Sequence, residues 1–222
     1  MESEKIFEAV CDPKNIDFVK NIINVMEPDL VIGPHLMNIL NKNQAETRGF
    51  VAWAAKYLQP KNYLEIGIRT GWSMAMVAVA APQCALYGFD NWETNYAGSP
   101  NPGPNFVAKE MKKLGYQKEI HFIDGDSHQT VPEFFRINPS MEFDLILVDG
   151  DHSDTGALDD LKNTMPHVKI GGILLFDDIV LNPNHGGHLD QVFKNIQVLY
   201  PNFEYHAFTK NDPGVGIAIK IK

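Results

Sequence analysis

From residue 62 onward the chain alternates short apolar runs with stretches of helical periodicity, and this alternation constrains the fold more than any other feature. The apolar runs fall at 63–66, 85–89, 120–123, 143–148, 172–176, 203–208 and 215–221, and helix-like stretches at 73–81, 106–114, 130–137, 155–168 and 189–200 separate the first six. Strands joined through helices run parallel, so the series predicts an α/β fold with a doubly wound, mostly parallel seven-stranded sheet and helices on both faces. Only Asn211-Asp212-Pro213-Gly214 joins the last two runs. That is too short for a crossover and predicts a terminal antiparallel hairpin near one edge.

Residues 1–58 read as a helical extension in front of an α/β core at 60–222, and 222 residues suit one domain better than two. Ile16, Val19, Ile22, Ile23 and Met26 recur at helical spacing. A second amphipathic stretch at 44–58 carries Phe50, Val51, Trp53, Ala54 and Tyr57 and stops before Pro60. Both are read as core packing, with a Gly-Pro loop between them in EPDLVIGPHLMN. The net charge of −9 and the lack of a Lys/Arg cluster argue against nucleic acid and against an anionic membrane surface as partners. Two cysteines, Cys11 and Cys84, fit a reducing compartment, and the N-terminal acids and lysine do not suit a signal peptide. The uncharged stretch 70–89 is long enough to span a bilayer, but Pro82 and Gln83 split it and Asp90 closes it. It is read as a buried helix followed by a buried strand, and the expected location is cytoplasmic.

The first core run leads into a turn, YLEIGIRTGWS, with Glu65, Gly67 and Gly71 spaced E-x-G-x-x-x-G. Glycines let a backbone take positive φ and approach a ligand, and the helix behind them offers free N–H groups. A carboxylate in that turn would repel a pyrophosphate and welcome an ammonium group, which points to an amino-acid nucleoside rather than a dinucleotide. Strand–glycine–helix turns also occur as plain connections.

Acids recur where apolar runs end: Glu65, Asp90, Asp124, Asp149 and Asp177. Asp90 can accept the two hydroxyls of a ribose, or simply begin a loop. Asp149 and the pair Asp177–Asp178 close runs expected on neighbouring strands, and three converging carboxylates suit Mg²⁺ or another hard divalent cation rather than zinc. Asp151 is read as a turn cap. DGDHSDTGALDD is not an EF-hand loop, because Asp154 stands where glycine is required. His152, three residues past Asp149, would be neutral beside a dication and able to take a proton. His35, His185 and His188 have weaker cases. The segment 91–106, with Pro100, Pro102 and Pro104 and the aromatics Trp92, Tyr96 and Phe106, reads as a long loop shaping a pocket or as a plain insertion.

Taken together, YLEIGIRTGWS, YGFD, GDSH, ILVDGDH and GGILLFDD resemble the class I S-adenosylmethionine-dependent methyltransferases, over about residues 44–220. More narrowly the set is similar to the metal-dependent O-methyltransferases of the catechol and caffeoyl-CoA type and their bacterial antibiotic-tailoring branch. The resemblance implies the Rossmann-like methyltransferase fold and S-adenosylmethionine as cofactor. It implies that Glu65, Gly67, Arg69, Gly71 and Ser73 surround the methionine part and that Asp90, with Asn91 beside it, holds the ribose. Ser127 and His128 flank the adenine. Asp149 adjoins the cofactor and, with Asp177 and Asp178, binds the metal. The plant and animal enzymes usually carry asparagine where Asp178 stands, whereas the acidic pair here resembles the antibiotic-tailoring branch. The family's base is typically a lysine where His152 stands, with histidine also found among sugar-modifying relatives. The implied acceptor is a small molecule with a hydroxyl group, and its identity stays open, as does nitrogen rather than oxygen as the acceptor atom. A nicotinamide-dependent oxidoreductase and a non-catalytic cofactor-binding module remain alternatives. The N-terminal helices could cover the site or build a homo-oligomer.

Overall fold

A computed structural model describes residues 1–29, 33–42, 44, 46–94, 101–180, 188–210 and 214–222. Four helices come first: α1 (Ser3–Val10), α2 (Pro13–Val25), α3 (Gly33–Asn41) and α4 (Thr47–Leu58). The alternating part follows as β1 (Asn62–Ile66), α5 (Trp72–Ala80), β2 (Ala85–Asp90), α6 (Pro104–Lys113), β3 (Ile120–Asp124), α7 (Ser127–Ile137) and β4 (Phe143–Val148). It continues with α8 (Asp154–Thr164), a 3₁₀ turn at Met165–His167, β5 (Val168–Asp177), α9 (Leu189–Leu199), β6 (Phe203–Phe208) and β7 (Val215–Lys220).

The strands form one sheet in the order β3-β2-β1-β4-β5-β7-β6. β1 to β5 are mutually parallel, and β7 lies antiparallel between β5 and β6. The predicted parallel sheet with its terminal hairpin is therefore present, and the stretch 70–89 has become α5 and β2. Chain order reverses between β1 and β4, which leaves a crevice at their carboxyl ends, where sheets of this kind bind ligands.

Each central strand feeds two cores because its side chains alternate between faces. Leu145 and Leu147 of β4 join the cluster that packs the sheet against α1 to α6. Ile146 and Val148 join the opposite cluster, built with α7, α8 and α9. The N-terminal helices thus share the core of one sheet face, as the amphipathic pattern suggested.

Three boundaries differ from the sequence expectation. The Gly-Pro stretch opens α3 rather than a loop, since proline's fixed φ suits a first helical turn. α7 starts at Ser127 rather than 130, because the Asp126 side chain accepts the His128 N–H and caps the helix. β5 reaches back to Val168, through a register irregularity against β4 and a positive φ of 80° at Gly171. The turn expected at 211–214 lies mostly outside the described residues, as do His185, Tyr96 and much of the loop at 91–106.

Gly67 sits where β1, β2 and β4 meet, with φ at 85°. A Cβ there would stand 1.9 Å from the Asp149 carbonyl oxygen, a backbone atom with no freedom to yield. Gly67→Ala should therefore destabilise the protein by about 3 kcal/mol or more, read as a fall in the denaturant midpoint. Stability within error of the wild type would mean the turn is not this tight.

Candidate functional site

The carboxyl ends of β1 and β2 are laced together by backbone and carboxylate. The Gly67 N–H donates to the Phe89 carbonyl at 2.9 Å, and the Asp149 N–H donates to the Ile66 carbonyl at 2.9 Å. Asp90 Oδ2 accepts the N–H groups of Ile68 and Arg69 at 2.7 and 2.8 Å. Its Oδ1 accepts the Trp92 N–H at 2.6 Å and the Asn101 amide at 3.1 Å. Four donors fill the acceptor sites of one carboxylate, so Asp90 organises the turn, and a ribose hydroxyl at Asp90 would have to replace one of them. Asn91 is exposed and accepts the Glu93 N–H at 3.1 Å.

Gly71 opens α5 at φ 78°, and a Cβ there would meet Val107 of α6 at 2.7 Å, so this glycine also serves helix packing. Ser73 is buried in the first turn of α5. Arg69 points its guanidinium to Asp29, 3.0 Å away in the segment after α2. Arg69, Trp92 and Asp178 hold φ of 51°, 53° and 58°. Positive φ is costly for residues with a Cβ, and three such positions follow the ends of β1, β2 and β5.

The acids crowd one another. Glu65 is 1% exposed and accepts the Tyr63 hydroxyl at 3.0 Å. Burial pushes its pKa well up, the Tyr63 bond opposes this, and Asp149 adds to the rise. The register of β4 and β5 pairs Val148 with Phe176, which sets Asp149 and Asp177 at adjoining strand ends. Asp177 is likewise held well above the usual carboxylate range by burial, then by Asp149 and Asp178, with Arg48 and Thr47 opposing. The Thr47 hydroxyl donates to Asp177 Oδ1. The Arg48 guanidinium stays firmly protonated: burial works against it, but Glu46, Asp177 and Asp149 outweigh that. Thr47 and Arg48 form the first turn of α4, whose N-terminal dipole adds positive potential at the same place.

His152 stands between two of these carboxylates, with Nε2 3.4 Å from Asp149 Oδ1 and Nδ1 3.2 Å from Asp178 Oδ2. Burial lowers its pKa, but Asp149, Asp178 and Asp177 raise it further, to about 9. The sequence reading expected a neutral imidazole beside a dication. With the carboxylates alone, the charged ring is the favoured form.

On the β3 and β4 side, Ser127 and His128 occupy the first turn of α7. His128 Nδ1 lies 3.0 Å from Asp126 Oδ1, and Nε2 lies 3.8 Å from Asp151 Oδ2. Asp151 caps its own turn as expected, accepting the Ser153 N–H at 2.7 Å. The Trp92 indole donates to Asp124 at 2.7 Å across the ends of β2 and β3.

For a divalent cation the donor chemistry is suitable: Asp149, Asp177 and Asp178 are three oxygen ligands whose mutual repulsion a dication would relieve. As arranged, however, no group of three His, Cys, Asp or Glu side chains among the described residues is positioned to hold a metal ion. The sequence reading overlooked Asp29, Thr47, Arg48 and Tyr63, all of which contact the expected site. Only Thr47 and Arg48 left a local signal, the helix start E-T-R-G after Gln44.

A sequence model of the methyltransferase domain family matches residues 64–179, from β1 past the end of β5. The tapetum-specific methyltransferase 1 of Arabidopsis thaliana is 32% identical over 130 residues, covering 58% of this chain and 51% of that protein. A caffeoyl-CoA O-methyltransferase of Medicago sativa is 28% identical over 155 residues, covering 68% of this chain and 58% of the relative. The chain thus spans little more than half the length of these curated relatives. Among solved structures, the O-methyltransferase TomG of Streptomyces achromogenes, in complex with S-adenosylmethionine, superposes over 100% of both chains. The TM-score is 0.64 at 18% identity, a likeness of fold. Among the described residues no helix is long and apolar enough to cross a membrane.

The site's electrostatics can be read directly by NMR titration of the His152 ring in metal-free protein. Its raised pKa contributes stability that is complete below about 6.5 and lost as pH rises through about 9. An ordinary midpoint near 6.5 would mean the ring is not held between Asp149 and Asp178.

Proposed function

The chain belongs to the methyltransferase domain family, and from that premise we propose that it transfers a methyl group from S-adenosylmethionine to a hydroxyl oxygen of a small molecule. The observation that carries this reading is the crowding of carboxyl groups at the crevice between β1 and β4. Glu65 and Asp177 are buried there, pushed toward protonation by burial and by Asp149. A ligand bringing its own positive charges, a sulfonium and an ammonium, offsets that repulsion. A dinucleotide pyrophosphate would add to it. The relatives named as O-methyltransferases support oxygen as the acceptor atom.

On this reading the turn at Gly67 and Gly71 brings backbone against the methionine part of the cofactor, Asp90 holds the side nearest the ribose, and Ser127 and His128 flank the base. Asp149, Asp177 and Asp178 would hold a divalent cation such as Mg²⁺, which when bound supplies charge that lowers the acceptor hydroxyl's pKa. His152 takes the hydroxyl proton. The acceptor oxygen forms a bond to the methyl carbon as the carbon–sulfur bond breaks, and S-adenosylhomocysteine leaves with the electron pair on sulfur. Alignment of oxygen, carbon and sulfur is the fold's largest contribution.

Calorimetric titration of S-adenosylmethionine into the purified protein tests the cofactor, and saturable binding is expected. Folded protein that binds none would overturn the reading. With a hydroxylated acceptor and Mg²⁺ present, Asp149→Ala or Asp177→Ala should abolish turnover while cofactor binding largely persists. Equal loss of both would assign these acids to the cofactor or to structure. His152→Ala should lower turnover roughly 10²-fold, and an unchanged rate at neutral pH would remove it as the base.

A further inference from the structure

Asp160 lies on the inner face of α8 with no exposed surface, and the Ser127 hydroxyl and the Asp151 N–H both approach its carboxylate without reaching ordinary hydrogen-bond geometry. Buried polar groups are rarely left so, because the lost hydration goes uncompensated.

The carboxylate of Asp160 sits between the two loops that follow β3 and β4. From the first turn of α7, just past the first loop, come the Ser127 hydroxyl and the His128 ring, both favouring its ionised form. His128 Nε2, also buried and without a hydrogen-bond partner, lies 4.0 Å from Asp160 Oδ1. From the second loop, the Asp151 N–H faces the carboxylate, and a Cβ on Gly150 would come within 3.1 Å of Oδ2. His128 Nε2 thus faces two carboxylates, Asp151 at 3.8 Å and Asp160 at 4.0 Å, both short of hydrogen-bond reach. Burial pushes the Asp160 carboxyl up to about 6, with Ser127, His128 and the Asp151 N–H opposing the rise.

We propose that Asp160 is the positioning residue for the purine end of the cofactor, closing onto His128 and Ser127 when the ligand seats against the first turn of α7. Asp160 touches no ligand atom itself; it couples the two loops that flank the base. Its contacts to both sides fall short of ordinary hydrogen-bond geometry, which leaves the carboxylate room to close onto them. The inference rests on the cofactor reading above.

The test combines melting curves with calorimetry of S-adenosylhomocysteine on wild type, Asp160→Asn, His128→Ala and the double variant. Asp160→Asn keeps the shape and removes the buried charge. Its melting temperature should therefore be equal or higher, while its Kd rises about tenfold and the kinetic loss falls on KM for S-adenosylmethionine rather than on kcat. The double variant should bind no more weakly than the weaker single one, because the two act as a unit. An Asp160→Asn Kd equal to wild type, or a loss additive with His128→Ala, would overturn the proposal. Failure of the wild type itself to bind would instead overturn the cofactor reading beneath it.

Discussion

The close approach of Gly67 to the Asp149 backbone is the constraint on which the rest of the site depends. Three strand ends are joined here by two backbone hydrogen bonds: Gly67 donates to β2 at Phe89, while Asp149, just past β4, donates to β1 at Ile66. No side chain fits at 67 without pushing β1 and β4 apart. Because the strand ends are pinned this tightly, the acids that terminate them are brought together, whatever their mutual repulsion. Backbone geometry sets the positions, and the electrostatics must then be managed.

The chain manages them with resident positive charge and with backbone N–H groups. Asp90 is hydrogen-bonded by four donors, two of them from the glycine turn it stabilises. Asp177 receives Thr47 and the field of Arg48 from the start of α4. That helix also buries Phe50, Val51 and Ala54 in the core shared with the sheet. Its apolar face and its N-terminal turn therefore do separate jobs on one rigid element. The packing that makes residues 47–58 helical also aims a cation and a dipole at the strand ends.

Much of this was legible in the sequence. The strands announced themselves as apolar runs closing on acids, and because parallel sheets gather sites at their carboxyl ends, the same residues marked both the fold and the site. The parts that stayed hidden depend on contacts far apart in the chain. Thr47 meets Asp177 across 130 positions, and Arg69 meets Asp29 through a fold in the N-terminal segment. Asp160 is one of three acids on α8, and only burial separates it from its exposed neighbour Asp159. Hydrophobic periodicity tells which face of a helix turns inward. It does not tell which loop that face will meet.

The same crowding sets how a basic side chain at position 152 behaves. A lysine ammonium there, facing Asp149 and Asp178, would keep its proton far above neutral pH, since its reference value is already about 10.4 and each carboxylate raises it. An imidazole starts near 6.5 and is carried to about 9 by the same neighbours. It therefore lies within reach of a single added positive charge, which would bring it back toward neutrality. A cation bound at these acids would, by the same electrostatics, loosen the proton that they hold on His152. The capacity of this ring to accept a proton is thus tied to occupancy of the carboxylates beside it, and the two cannot be tuned separately while the ring stands between them.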